Sequence, residues 1–356
     1  MIDAAPPDAA APIAIRERGW WRVLVTTLLF LFVPVTPMLR ILLPVEQTVV
    51  LLAPALAVSA LVGAVAGGRW PLAIVWTGLA GWVIWQFVSG AGTVALLTAG
   101  WSVLLAGAFG AISLVRMRGL LAFPSMFPSM FPRALAAIAI ASALAAGVTL
   151  SVRGGRTAIL DVVQTEAESK SQAALGAWRQ TTGTPEWSQF TVQHPDASTM
   201  SKRVEEQLQS APRYASVFFP SLLALESLAA LALSWAVYHR VGRARIGPPM
   251  SALRDFRFDD HLVWGLIAGL ILVVVPASES VGRVGANALV FFGLLYALRG
   301  LGVAIWFLAP SRLVMALLIG FALLFWNVLG VLALALGLGD TWLDWRARAR
   351  QHAVRK

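Results

Sequence analysis

The sequence predicts an all-α fold, a polytopic transmembrane helical bundle of about 8–10 spans with one small extracytoplasmic helical insertion. Three observations predict it. Hydrophobic residues fill 58% of the 356 positions and only 13% are charged, against about a quarter charged in a soluble domain. The apolar residues fall in runs long enough to cross a hydrocarbon core about 30 Å thick, at about 1.5 Å per helical residue. The basic residues gather between those runs, where they set orientation.

Residues 1–18 read as a disordered cytoplasmic lead, acidic and Pro/Ala-rich in "MIDAAPPDAAAPIAI". The following "RERGWWR" precedes an apolar run that ends in "PVTPMLR" without a small-residue cleavage pattern, so that run is a retained span rather than a signal peptide. Nine runs qualify as spans: 20–40, 46–66, 70–88, 93–115, 133–151, 216–238, 261–278, 284–308 and 312–338. They divide into an N-terminal membrane region (19–151), an extracytoplasmic segment (152–212), a C-terminal membrane region (213–340) and a basic interfacial tail (341–356).

Arg16, Arg18, Arg22, Arg69, Arg116, Arg118 and Arg133, with the cluster from Arg240 to Arg257, all fall on one side if the N-terminus is cytoplasmic. Nine crossings then leave "RARARQHAVRK" on the wrong side. A break at Asn327–Gly330 in the last run restores a cytoplasmic tail.

In the insertion, Leu160, Val163, Ala167, Ala174, Leu175 and Trp178 mark one face of an amphipathic helix. Met200, Val204 and Leu208 mark a second, with Ser198 or Thr199 as its expected cap. The tandem "FPSMFPSMFP" carries proline every fourth residue, which excludes an ordinary helix interior and reads as a loop. The pairs Gly63/Gly67, Gly265/Gly269 and Gly78/Gly81 read as close-packing positions. Trp20, Trp21, Trp70 and Trp235 fall near span ends as an aromatic belt, and Trp76, Trp82, Trp85 and Trp101 deeper, as packing.

Glu226 stands alone in the apolar "LLALESLAALALSW". A charge in the middle of a bilayer costs roughly 2.5–3.5 kcal/mol on insertion scales, so it must be protonated, paired or wetted. Arg299 in the eighth run is the sequence candidate for its partner, and Asn287 and Asn327 are further polar groups of the late spans. Two roles fit Glu226: a pin that fixes helix register, or a proton-linked or substrate-contacting group. "RDFRFDDH", with Arg257 and Asp259, reads as an interfacial salt-bridged collar.

The chain has no cysteine, which excludes disulfides, thiol catalysis and thiolate metal sites. Its four histidines lack metal-ligand spacing, and no phosphate-binding or dinucleotide motif is present. No enzyme activity, cofactor or metal is expected. The net charge of +10 lies between spans, which argues for lipid rather than nucleic acid as the partner.

The C-terminal half resembles a known family. "FFPSLLALESLAALALSW", "LRDFRFDDHLVWGLI", "NALVFFGLLYALRGLGVAIWFL" and the closing "GLGDTWLDWRAR" are similar to the YybS-like bacterial membrane proteins, domain of unknown function 2232. Gly337, Asp340, Asp344 and Arg346 are the most specific part, and Arg299 and Trp235 depart from the residues common in that family. The resemblance implies a protein of the bacterial cytoplasmic membrane. It also implies a layout similar to the substrate-binding components of energy-coupling-factor transporters, an analogy of fold only.

In "GLGDTWLDWRARAR", Gly337 and Gly339 read as the helix end and Asp340, Asp344 and Arg346 as an anchor and docking site. The function expected is a small-molecule permease or substrate-binding transport component, with a small-molecule ligand and a membrane coupling subunit as partners. The alternative is a scaffold or assembly partner in the cell envelope.

Overall fold

The computed structural model describes Trp20 and residues 23–24, 26–28, 37–89, 92–117, 129–151, 155–244, 246–275, 278–309, 311, 314–315, 317–318 and 325–354. The side chains of residues 37–39, 156, 326–327, 350 and 352–354 are outside that description. The expected lead, most of the first span and most of the proline tandem also lie outside it.

Every regular element among the described residues is helical. The helices are α1 (Pro37–Leu42), α2 (Val45–Val65), α3 (Trp70–Val88), α4 (Thr93–Met117), α5 (Met130–Ser151), α6 (Gly155–Thr182) and α7 (Pro185–Gln193). They continue as α8 (Pro195–Val241), α9 (Val263–Val274), α10 (Glu279–Leu308), α11 (Trp326–Leu343) and α12 (Trp345–Val354). Six of them, α2 to α5, α8 and α10, are long and apolar enough to cross a membrane, and α9 and α11 are shorter apolar helices. The predicted bundle is therefore present, with four of the nine expected spans changed or outside the described residues.

The main core joins α2, α4, α5, α8 and α10 through Leu51, Leu105, Phe109, Ala137, Leu231, Trp235 and Tyr296. Phe109 meets Trp235 edge-on at 6.0 Å between ring centroids, the geometry that aromatic quadrupoles favour. A second cluster joins α1, α6 and α8 through Ile41, Ala167, Leu175 and Leu208. The predicted apolar stripe on α6 is thus the face that packs, with Val163 buried as well.

The second soluble helix and the sixth span are one element. α8 runs 47 residues from Pro195 to Val241, about 70 Å of helix. It starts with Pro195 as its first residue and His194 at the cap, four residues before the expected Ser198 and five before Thr199. Proline suits a first turn because its missing N–H has no intrahelical partner there.

Helices α2, α8 and α10 run in the same sense. Thr48 meets Glu226 and Gly63 meets Tyr238, and Ser221 meets Asn287. One end of the bundle therefore carries the segment 242–262, called here the basic end. The other carries α6, α7 and the first half of α8, called the cap end.

The seventh span is short. α9 has 12 residues, about 18 Å, where 261–278 was expected. The last run is interrupted where α11 begins at Trp326 with Phe325 as its cap, so the break precedes Asn327 instead of following it. Asn327 and Gly330 lie inside α11, as do Gly337 and Gly339, which were expected to end it.

α11 ends at Asp344, which adopts φ 40°, a left-handed conformation that Asp tolerates better than most residues. The turn sends α12 back toward the segment 242–262, and Asp344 meets Arg257 at 2.9 Å. The basic tail and the basic loop thus share one end of the bundle.

Of the glycine pairs, Gly63 lies against Tyr238, Gly265 against Phe292 and Gly269 against Ala288. Gly78 and Gly81 face open space, because α3 is the most peripheral of the long helices. Trp82 and Trp85, expected as packing, are consequently exposed, and Trp235, expected in the interfacial belt, is fully buried.

Candidate functional site

The polar groups of the apolar region are held in three places: a mended kink in α8, a buried carboxylate, and an ionic cluster at the basic end. Pro220 lies inside α8, where its ring and missing N–H disturb the helical ladder. Asn287 of α10 accepts from the Ser221 N–H at 3.0 Å and donates to the Val217 carbonyl at 2.8 Å. In an unkinked helix those two backbone groups pair with each other. The same amide nitrogen also donates to the Arg283 carbonyl at 2.9 Å. Asn287 therefore inserts its amide into the ladder of its neighbour, one of the recognised ways to hold a kink.

Glu226 is buried and accepts from Gln47 Nε2 at 2.8 Å and Thr48 Oγ1 at 2.5 Å. It makes no ion pair among the described residues. The expected partner Arg299 is bound elsewhere, for a geometric reason. Glu226 lies five residues beyond Ser221 and Arg299 twelve beyond Asn287, so the two stand about 10 Å apart along parallel helices. Next to Glu226, Ser227 accepts from Trp101 Nε1 at 2.9 Å, and two helical turns later Ser234 meets Ser59 at 3.3 Å. This row of small polar contacts fixes α2 and α4 against α8.

Arg299 is fully buried in the basic-end cluster. Its Nε donates to Asp340 Oδ2 at 3.0 Å and its Nη1 to Asp260 Oδ1 at 2.6 Å. Phe258 covers the guanidinium at 5.4 Å, a cation–π contact. Asp340 also accepts from Arg346 at 2.7 Å, and Arg346 donates to the carbonyls of Arg254 and Phe256. Two guanidiniums and two carboxylates thus tie α10, α11, α12 and the segment 242–262 together. A buried pair of this kind is weak evidence for net stability, but losing one partner strands the other.

A cleft of about 870 Å³ opens at the cap end between α6, α8 and the start of α10. Gln164, Gln172 and Gln209 supply amides, Glu168 and Arg213 supply opposite charges, and Glu279 pairs with Arg283 at 2.8 Å on the α10 side. Ser216 and Val217, beside the kink, line it, and Val273 lines it on the α9 side.

Sequence comparison places this arrangement in a family whose profile matches residues 22–341 and is described as a predicted membrane protein. The chain belongs to DUF2232. No curated protein and no solved structure matches it. The family region contains the cleft, Glu226, Asn287, Arg299 and Asp340, whereas Asp344 and Arg346 lie beyond its last matched residue. The DUF2232 match also reaches through the early helices, further toward the N-terminus than the motifs of residues 210–350 alone indicate.

Of the expected polar centre, this DUF2232 chain keeps Glu226 and Arg299 buried but in separate networks, and Asn287 serves the kink. Asn327 falls in the first turn of α11, with its side chain outside the described residues. Of the expected docking residues, Asp340 and Arg346 are buried and so present no surface. Arg257 and Asp344 pair with each other. Asp259 is exposed, and the bond from the His261 backbone N–H holds its carboxyl below the ordinary range.

Several residues escaped the sequence reading. Gln47 and Thr48 carry the Glu226 contacts, and the polar "EQT" at the head of an apolar run was their signal. Arg133, Trp235, Tyr238 and His239 hold Ala244 and residues 246–248 by bonds to the carbonyls of Ile246, Pro248, Ala244 and Gly247. Trp235, Tyr238 and His239 share one helix face by their i, i+3, i+4 spacing, but nothing in the sequence joins Arg133 to them.

Proposed function

We propose that the chain is a non-enzymatic small-molecule permease or substrate-binding transport component, with the cap-end cleft as its ligand site. The cleft carries the reading. Its volume of about 870 Å³ lies within the roughly 300–1,000 Å³ of small-molecule sites. It combines three amides and four charged groups with an apolar floor, and it rests on a kinked helix mended by a single neighbouring amide. Glu226 is outside the cleft lining and acts in this reading as the register pin between α2 and α8.

The proposed setting is a bacterial cytoplasmic membrane with the basic end in the cytoplasm, since Arg240, Arg243, Arg254, Arg257 and Arg348 gather there. The cleft then faces the outer side.

The test is native mass spectrometry of the full chain purified in mild detergent, beside a cleft-filling Gln172→Trp variant. Gln172 is exposed, so the bulk enters the cleft without disturbing packing. A small-molecule adduct on the parent that disappears from the variant supports the reading. No adduct, or one indifferent to Gln172→Trp, removes it and leaves the scaffold.

A further inference from the structure

We propose that the ligand of the cleft is an anionic amphiphile taken from the bilayer, its acidic head on Arg213 and its chain along the exposed face of α9. The proposal rests on the cleft being the ligand site and adds the ligand class and the route of entry.

Charge comes first. Arg283 is engaged by Glu279 and Glu168 accepts from Gln164. Arg213 has no hydrogen bond or ion pair from its guanidinium among the described residues, which leaves it as the free cation of the cleft. A guanidinium beside amide donors suits a carboxylate or phosphate head.

Depth comes second. With Asn287 level with Ser221, the first residue of α10, Glu279, is level with Arg213. The start of α10 therefore stands at the height of the cleft, and α8 continues beyond it to Pro195, about 27 Å further. The cleft thus lies at a step in the molecular surface, at the predicted water–hydrocarbon boundary above the apolar run of α8.

The wall on the α9 side comes third. α9 has 12 residues, about 18 Å against a hydrocarbon core of about 30 Å. Val273 lines the cleft, and Leu270, Ile271, Val274 and Val275 below and beside it are exposed. An acyl chain leaving the cleft over this low wall passes directly onto apolar surface. A water-soluble ligand has no use for that exit.

The experiment places the full chain in phosphatidylcholine nanodiscs carrying a minor fraction of phosphatidic acid, and native mass spectrometry counts the lipids retained. Phosphatidic acid is expected to be retained over phosphatidylcholine by about tenfold, and Arg213→Gln to abolish the preference. Arg348→Gln, at the basic end, controls for general attraction to anionic lipid and should leave it intact.

Loss of the preference in Arg348→Gln with retention in Arg213→Gln overturns the proposal, as does equal retention of the two lipids. Glycerol 3-phosphate supplies the head without the chain. If it binds the parent as well as the lipid does, the ligand is a soluble anion: the cleft remains a ligand site and the amphiphile is wrong. If Gln172→Trp changes the retention of nothing, the cleft reading falls as well.

Discussion

At the scale of single residues, the structure separates groups that composition alone lumps together as polar residues in spans. Glu226 accepts two hydrogen bonds from uncharged donors and lies outside the lining of the cap-end cleft. Glu226→Gln should lower the thermal midpoint, corresponding to about 1–2 kcal/mol, and leave the retained adduct unchanged. An unaltered midpoint would remove the pin, and loss of the adduct would show that the carboxylate does more than pin helices. Asn287→Leu strips two part-buried backbone groups of their side-chain partner. At about 1–3 kcal/mol for each unsatisfied group it should cost up to about 2–6 kcal/mol, measurable as a fall in urea midpoint. Arg299→Leu strands Asp340 and should cost about 3–5 kcal/mol, and a near-neutral result would mean that Arg346 alone satisfies that carboxylate. The sequence flagged Glu226, Asn287 and Arg299 because an ionisable or amide group in an apolar run is conspicuous. It could not pair them, because depth in a bundle depends on register between helices, and register is set here by contacts between residues far apart in the chain.

At the scale of elements, helices α3 and α4 begin where the apolar runs indicate, and α2 and α5 within three residues of it. The failures occur where helices are not bounded by solvent or by lipid. α8 joins a polar half to an apolar half without interruption, and hydropathy registers the change of surroundings as a boundary although the backbone does not. Gly337 reads as a helix end from its neighbours in sequence, but it lies at the crossing of α10 and α11. A Cβ on Gly300 would stand 1.7 Å from the Ala333 carbonyl oxygen, and one on Gly337 would stand 1.9 Å from that of Tyr296. Backbone cannot yield as a side-chain tip can. Gly300→Ala should therefore cost about 3 kcal/mol or more and loosen α11, seen as faster proteolysis of the C-terminal helices. Gly293→Ala, at a position open to its surroundings, is the matched control and should be neutral. Equal effects would place the crossing elsewhere.

At the scale of the whole molecule, the absence of cysteine makes topology directly measurable. Single cysteines at Ser251 and Ala349 should react with an impermeant thiol reagent from one side of the membrane, and one at Ser188 only from the other. Labelling of Ser251 and Ala349 from opposite sides would undo the shared basic end. Arginine counting points toward the cytoplasm for both, which needs an even number of crossings between them, and the start of α11 at Trp326 divides the last apolar run. A mechanical consequence follows from α8. Its cap-end arm from Pro220 back to Pro195 is about 38 Å of helix, pivoted where Asn287 clasps the kink. A swing of about 5° at that pivot moves the tip by roughly 3 Å over a lever of this length. The amide of Asn287 thereby holds the pivot, and α1 and α6, packed on the arm through Ile41, Ala167, Leu175 and Leu208, must travel with it.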